Sequence, residues 1–443
     1  MKKFLSLTNN GISTIFRSLK YRNYRLFFTG QSISLIGTWM QRTAMSWLAY
    51  RLSDSPLILG IVAFSGQIPS FILAPAGGVA ADRYSRHRIL IATQTLAMIQ
   101  ALILSILVLT GNIAIWHLVL LSIVLGLINA FDMPTRQAFV VEMIDWSEDL
   151  SNAIALNSSM VNAARLLGPS VAGVLIAAVG EGVCFLINAL SYLTVIVSLL
   201  MMRLAPRDIK AKDIHPWQQM KDAFVYAFSF APVRYVILLL ALVSLAGMPY
   251  VVLMPIFAKD ILHGGPRTLG FLIGCSGVGA MIAALYMASR KSILGLGRLI
   301  VVATIIFGTA LIIFSLSKML WLSMTVMLLA GFGMMINLAS CNTILQTMVD
   351  DDKRGRIMSL FAMAFMGMAP LGSLIAGALA HRIGAGLTLL IGGIGCICGG
   401  LLFARKLPAL RKIVHPLYVK KGVIPEAGTA LYSTSELNMP PER

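Results

Sequence analysis

The feature that most restricts this chain is a series of apolar runs about 20 residues long that recurs from one end to the other, the length a helix needs to cross a hydrocarbon core of roughly 30 Å. Twelve runs are read, at approximately 24–50, 57–80, 88–110, 113–140, 152–178, 182–202, 232–257, 268–289, 297–316, 319–345, 357–380 and 385–404. Turn chemistry separates them, as at Ser53-Asp54-Ser55-Pro56, Thr110-Gly111-Asn112 and His263-Gly264-Gly265-Pro266. Lipid offers the backbone no hydrogen-bond partners, so such runs fold as helices that satisfy themselves. The expected fold class is an all-α polytopic membrane protein with twelve transmembrane helices. Composition agrees: 58% hydrophobic and 12% charged residues leave too little polar surface for a solvated domain. The formal net charge of +18 would point to nucleic acid in a soluble protein. Here it must sit in loops beside lipid, and no nucleic-acid partner is expected.

An even number of crossings puts both termini on one side, and the loop charges say which. The N-terminal segment, the even-to-odd loops and the C-terminal tail hold 29 Lys and Arg, against five in the opposite loops: Arg51, Lys259, Arg267, Lys318 and Arg382. Short cytoplasmic loops carry this excess, so both termini are expected in the cytoplasm, with the chain in the cell inner membrane and its basic loops against anionic lipids. The segment through Arg25 is basic and polar and lacks a small-residue cleavage site, so Met1 is expected to start the mature chain.

The domain organisation expected is a cytoplasmic segment at 1–23, a six-helix half at 24–202, a linker at 203–231, a second six-helix half at 232–404 and a cytoplasmic tail at 405–443. The linker contains Pro206 and an amphipathic stretch, Trp217 to Phe228, and the proline-bearing tail is expected to be largely irregular. A weak internal repeat supports two halves. Gly173 to Leu190 laid on Gly377 to Ile394 at an offset of 204 shares six of eighteen positions, including Gly173/Gly377, Gly180/Gly384 and Gly182/Gly386.

Polar residues inside spans are expensive and mark functional paths. At 100° per residue, Gln31, Ser34, Thr38, Gln41, Arg42 and Ser46 share one side of the first span, Asn129, Asp132 and Arg136 one side of the fourth, and Ser158, Asn162, Arg165, Pro169 and Gly173 one face of the fifth. Turning the three stripes to a common central cavity hides them from lipid. Pro134, Gly168, Pro169, Pro370 and Gly372 are candidate hinges. Asp132 has three open roles: an ion pair with Arg136, a gate contact to an arginine of the loop after the second span, or proton carriage. Arg165 either favours an anionic substrate or packs against backbone carbonyls, while Arg42 can snorkel outward.

That loop reads Gly78-Val79-Ala80-Ala81-Asp82-Arg83-Tyr84-Ser85-Arg86-His87-Arg88. It resembles the G-x-x-x-D-R-x-G-R-R signature of the major facilitator superfamily, with Ser85 where the family has glycine. Leu35-Ile-Gly-Thr-Trp-Met-Gln41, Ala130-Phe-Asp-Met-Pro-Thr-Arg-Gln137, Arg165-Leu-Leu-Gly-Pro169 and Arg354-Gly355-Arg356 are similar to its drug and siderophore exporter branch, which includes enterobactin exporters and macrolide efflux proteins. The resemblance implies a twelve-helix transporter that exports a small amphipathic molecule by alternating access and proton antiport. It makes Gly78, Asp82, Arg83, Arg86 and Arg88 a gating motif. Ser122 stands where many drug antiporters have an arginine in the fourth span, which leaves Asp132 as the proton-coupling candidate. A lipid flippase, an importer on the same fold and a membrane-embedded lipid enzyme are the alternatives; the enzyme would draw on His117, His87, Asp132 or Glu142. The five cysteines lie in apolar runs, and the one close pair, Cys396 and Cys398, lacks acidic or His neighbours, so no metal is expected, and no cofactor. The expected partners are a small-molecule substrate, protons and lipid, with the chain acting as a monomer.

Overall fold

The computed structural model describes residues 16–144, 146–204, 228–290 and 292–420. Most of the linker, including all of Trp217 to Phe228 except Phe228, and the tail beyond Lys420 lie outside them. All regular structure among the described residues is helical. The first four long helices are α1 (Arg22–Ser53), α2 (Pro56–Arg83), α3 (Arg86–Leu109) and α4 (Ile115–Phe139). The run Ser147–Leu200 is broken at Gly180, whose φ of 83° and ψ of 171° are non-helical, giving α5 (147–179) and α6 (181–200). Next come α7 (Ala231–Ile261), α8 (Pro266–Ser289), α9 (Leu296–Leu316) and α10 (Leu320–Met348). Last are α11 (351–383) and α12 (Ala385–Lys420).

Among the described residues, ten helices are long and apolar enough to cross a membrane, with Glu148–Leu200 taken as one. At about 1.5 Å per residue, 53 residues would run roughly 80 Å if straight, more than twice a hydrocarbon core. The contacts of that run show it doubling back. Asp149 pairs with Arg17 and Lys20 before α1, Glu181 with Arg51 near the far end of α1, and the Leu199 carbonyl meets His87 at the start of α3. Helix α1 is not among the ten, because Gln31, Ser34, Thr38, Gln41 and Arg42 dilute its hydropathy.

Gly384, between α11 and α12, has φ 85° and ψ 156°, nearly the conformation of Gly180. Both reversals sit at the same repeat position, in a region of backbone space that L side chains avoid. Gly173 and Gly377, also paired in the repeat, occupy equivalent contacts. A Cβ on Gly173 would lie 2.7 Å from the Pro266 carbonyl oxygen of α8, and one on Gly377 would lie 2.8 Å from the Pro56 carbonyl oxygen of α2. Small residues let helix backbones touch where lipid provides no hydrophobic drive between helices. Thus α5 packs on α8 and α2 on α11, while α1 packs on α5 and α6, α2 on α4, α8 on α10, and α9 on both α10 and α12.

The end of the molecule that carries Arg17, Arg86 and Arg298 is strongly basic; here it is termed the basic end. At the opposite end α1 and α7 are bonded together: Tyr50 Oη donates to Asp260, and Lys259 pairs with Asp54. One core cluster joins Met40, Leu48 and Leu59 to Tyr250, Leu253 and Phe257 and runs on to Met348 and Leu410 at the basic end. At the basic end a separate cluster, with Tyr24, Phe27, Phe139 and Leu199, contains residues of α1, α3, α4, α5 and α6 and the segments flanking them. Residues 405–420, expected to open a largely irregular tail, are helical. Helix α12 continues to Lys420 through Pro408 and Pro416, because Leu410 and Val414 are buried against its neighbours.

Gly180→Ala and Gly384→Ala should each cost about 1–3 kcal/mol, the strain of an L residue held at positive φ with extended ψ. Both variants should show lowered melting midpoints in detergent; an unchanged midpoint would contradict the reversal.

Candidate functional site

Arg86 holds the basic-end loop together. Its Nε donates to the Ala81 carbonyl at 3.0 Å, its Nη1 to the Ala138 carbonyl at 2.9 Å, and its Nη2 to Asp82 Oδ1 at 3.2 Å. Glu142 lies 3.2 Å from Nη1. A cation here satisfies the last carbonyls of α2 and α4, where the helix dipoles are negative. Asp82, Arg83 and Arg88 are exposed. The close helix approach beside this motif is made by Gly77, not by the motif's Gly78. Nothing lies within 4 Å of a Cβ on Gly78, whereas one on Gly77 would stand 2.0 Å from the Ala130 carbonyl oxygen and 3.2 Å from Pro134 Cγ. Pro134 has no N–H, so the Ala130 carbonyl four residues earlier is freed from the helix ladder, and Gly77 gives α2 room beside it.

Asp132 is buried on α4. Its Oδ1 accepts from Thr93 Oγ1 at 3.0 Å and Gln94 Nε2 at 2.7 Å on α3, and Arg136 Nε lies 3.6 Å from Oδ2. Of the alternatives open for Asp132, the intrahelical pair is formed, and the loop arginine Arg86 turns to Glu142 instead. Ser122 is buried and its hydroxyl has no partner among the described residues.

Two other arginines meet on one ring. The Arg42 guanidinium stands 5.0 Å and that of Arg165 5.7 Å from the centroid of Trp39, an arrangement in which the π face offsets part of each positive charge. Arg42 is exposed and Arg165 half-buried. Among the described residues neither guanidinium is hydrogen-bonded or paired with an acid. Thr38 hydrogen-bonds Tyr192 at 3.3 Å; Asn129 and Asn162 are half-buried, and Ser158 is exposed.

The remaining cavity candidates are enclosed. Gln31, Ser34 and Gln41 are buried, and Gln41 is tied to Gln100 at 2.9 Å and to Asn188 at 2.6 Å, joining α1, α3 and α6. The expected hinges serve as contacts too. A Cβ on Gly168 would lie 2.4 Å from Trp39 Cβ, and one on Gly372 2.3 Å from the Leu245 carbonyl oxygen. That carbonyl lies four residues before Pro249, in the π-turn Val243–Gly247 of α7. Ser244 in this turn donates to Phe365 of the π-turn Met363–Gly367, ahead of Pro370. Pro169 and Pro370 are buried. Sequence reasoning passed over Trp39, Thr93, Gln94, Gln100 and Asn188; Trp39 stood inside a motif already singled out, and three of the others are polar residues on α3 that extend the same polar-residue argument.

A sequence profile described as transmembrane secretion effector matches residues 13–416. The chain belongs to this family of the major facilitator superfamily. It is 24% identical over 380 residues to the staphyloferrin A transporter of Staphylococcus aureus, covering 86% of this chain and 95% of that protein. It is 22% identical over 392 residues to macrolide efflux protein A of Streptococcus pyogenes, covering 86% and 95%. The crystal structure of a bacterial homologue of the iron transporter ferroportin matches with a TM-score of 0.66 at 17% identity, over 87% of this chain and 98% of that chain. The motif resemblance to the efflux branch is upheld, the fold is that of a facilitator-type transporter, and the family's members are transporters, not enzymes. His117, named for the enzyme alternative, accepts from the Ala114 N–H at 3.0 Å and so caps α4.

Gly77→Ala should cost about 1–3 kcal/mol through overpacking, whereas Gly78→Ala should be neutral or stabilising. Thermal melting of the two purified variants gives the comparison, and equal midpoints would contradict the assignment of the contact to Gly77.

Proposed function

We propose that the chain is a secondary active exporter that moves an anionic amphipathic molecule, a siderophore or drug, out of the cell by alternating access in exchange for protons. The observation that carries this is the pair of unpaired guanidiniums on Trp39, deep in a transporter, where an uncompensated charge is costly unless a ligand or water meets it. Together with Arg136 they bring three positive charges to one region, against the single buried carboxylate of Asp132. A carboxylate or catecholate could accept from both arginines in the planar, two-bond geometry that guanidinium favours.

In this reading α1–α6 and α7–α12 form two six-helix halves with twelve crossings, and the basic end, with both termini, faces the cytoplasm. The 29-to-5 charge split supports that orientation in the cell inner membrane. The halves are latched at the outer end by Tyr50–Asp260 and Asp54–Lys259. Breaking the latch while α2, α4 and α11 close at the basic end would expose the arginines outward. Contacts made in only one state set the population of that state. Asp132 is the proposed proton carrier: protonation would release Arg136, and the three donors now around the carboxylate would have to be repartnered. The protein works as a monomer.

In proteoliposomes, Arg165→Gln and Arg42→Gln should each lower transport of an anionic load by roughly tenfold or more, the worth of a charge-assisted hydrogen bond, with Arg165→Lys recovering part. Efflux of cations alone, unaffected by either change, would reject the anionic load.

Collapsing the proton gradient should stop efflux in cells, and Asp132→Asn should flatten the dependence of transport on the pH difference. Efflux that persists with an uncoupler would reject proton drive, and a normal pH response in the Asn variant would reject the residue.

A further inference from the structure

A groove of about 370 Å³ opens at the basic end between the start of α7, the turn before α9, the end of α10 and the extension of α12. Its walls are apolar, with Val236, Met348, Phe403 and Leu410 among them, and Arg298, Arg411 and His415 are among its lining residues. Val236, Met348, Phe403 and Leu410 are buried, so the groove is built into the packing. The three basic side chains are exposed. Among the described residues none of them makes a hydrogen bond or ion pair.

The depth of the groove matches a membrane boundary. Counting about 20 residues from Ala385, at roughly 1.5 Å each, a 30 Å hydrocarbon core ends near Ala404, just before the exposed pair Arg405 and Lys406. Phe403 therefore stands at the edge of the acyl region, and Arg411 and His415 at headgroup level. Beyond Arg405, Leu407, Leu410, Val414 and Tyr418 turn inward while Arg411 and Lys412 face out. The first turn of α9 is seated on this extension, since a Cβ on Gly297 would lie 2.7 Å from Leu407 Cδ1.

We infer that this groove is a binding site for one anionic phospholipid, with an acyl chain along the apolar walls and the phosphate between Arg298 and Arg411. An apolar slot beneath unpaired cations complements a molecule that is apolar at one end and anionic at the other. A zwitterionic lipid would bring its ammonium group to the same cations. The bound lipid ties the α12 extension to the turn before α9 and the start of α7. This assignment does not depend on the nature of the transported load.

The full chain in detergent, titrated with dioleoyl-phosphatidylglycerol and followed by native mass spectrometry and thermal melting, tests it. The wild type should retain one such lipid and melt at a higher temperature, whereas dioleoyl-phosphatidylcholine and inorganic phosphate should do neither. Arg298→Gln with Arg411→Gln should raise the apparent dissociation constant by roughly tenfold or more. Leu294→Trp, which narrows the groove from an exposed position on its lining, should do the same, and Arg83→Gln with Arg88→Gln, elsewhere at the same end, should not. Equal retention of phosphatidylcholine, an equal shift with phosphate alone, an unchanged affinity in both groove variants or an equal loss in the Arg83/Arg88 variant would each overturn the site.

Discussion

Close contact between helix backbones is the interaction on which the rest of this structure depends. In lipid, apolar side chains gain little by leaving the solvent for one another, so helices associate where their surfaces can approach closely and disperse charge in shared bonds. The chain meets that condition at glycine seams. Gly60 stands against Ser373 and Gly377, Gly173 against Gly270, Gly126 against Gly66, and Gly331 against Ser276. Several seams also lie beside carbonyls that prolines have released from the helix ladder, as at Ala130 and Leu245. A Cβ at either place would collide with an oxygen that can no longer withdraw into its own helix.

Charge is distributed by the same economy of partners. At both ends, acids and bases meet: Asp149 with Arg17 and Lys20, Glu181 with Arg51, Asp54 with Lys259, and Glu142 with Arg86. The bond to Asp149 holds the Lys20 ammonium above the usual lysine range, though its exposure keeps the pair screened. Deeper in the molecule the matching stops. Asp132 is engaged by Thr93, Gln94 and Arg136, while among the described residues Arg42 and Arg165 meet only the Trp39 ring. This contrast makes the middle of the molecule, rather than its ends, the place to seek an anionic ligand. The groove under α12 repeats the contrast at smaller scale, with basic and no acidic residues among its described lining.

Much of this was legible in the sequence because helix formation and placement in lipid are local. Twenty apolar residues in a row specify a helix whatever surrounds them. The glycine repeat at an offset of 204 marked Gly180 and Gly384, and those positions are the α5–α6 and α11–α12 reversals. Arg165 stood out because a guanidinium in an apolar run is conspicuous by itself. Trp39 did not, since an aromatic residue in a span is ordinary until two arginines are brought to its face. Gln41 shows the converse: its place on the polar side of α1 is sound, but that side is partly sealed by Gln100 and Asn188 from helices far away in sequence.

The sequence by itself therefore determined a helical membrane chain, its basic and opposite ends, the reversals at glycine and the family motif, each of which follows from the composition of one continuous segment. Only the tertiary structure decided which polar residues are structural and which are left unpaired. It also decided that Gly77 and not Gly78 carries the close contact, that α12 runs on to Lys420, and that Arg42 and Arg165 share Trp39. The physical reason is that burial and pairing belong to relations between helices. A helix face fixes the direction in which a side chain points, and the neighbour across the seam decides what it meets there.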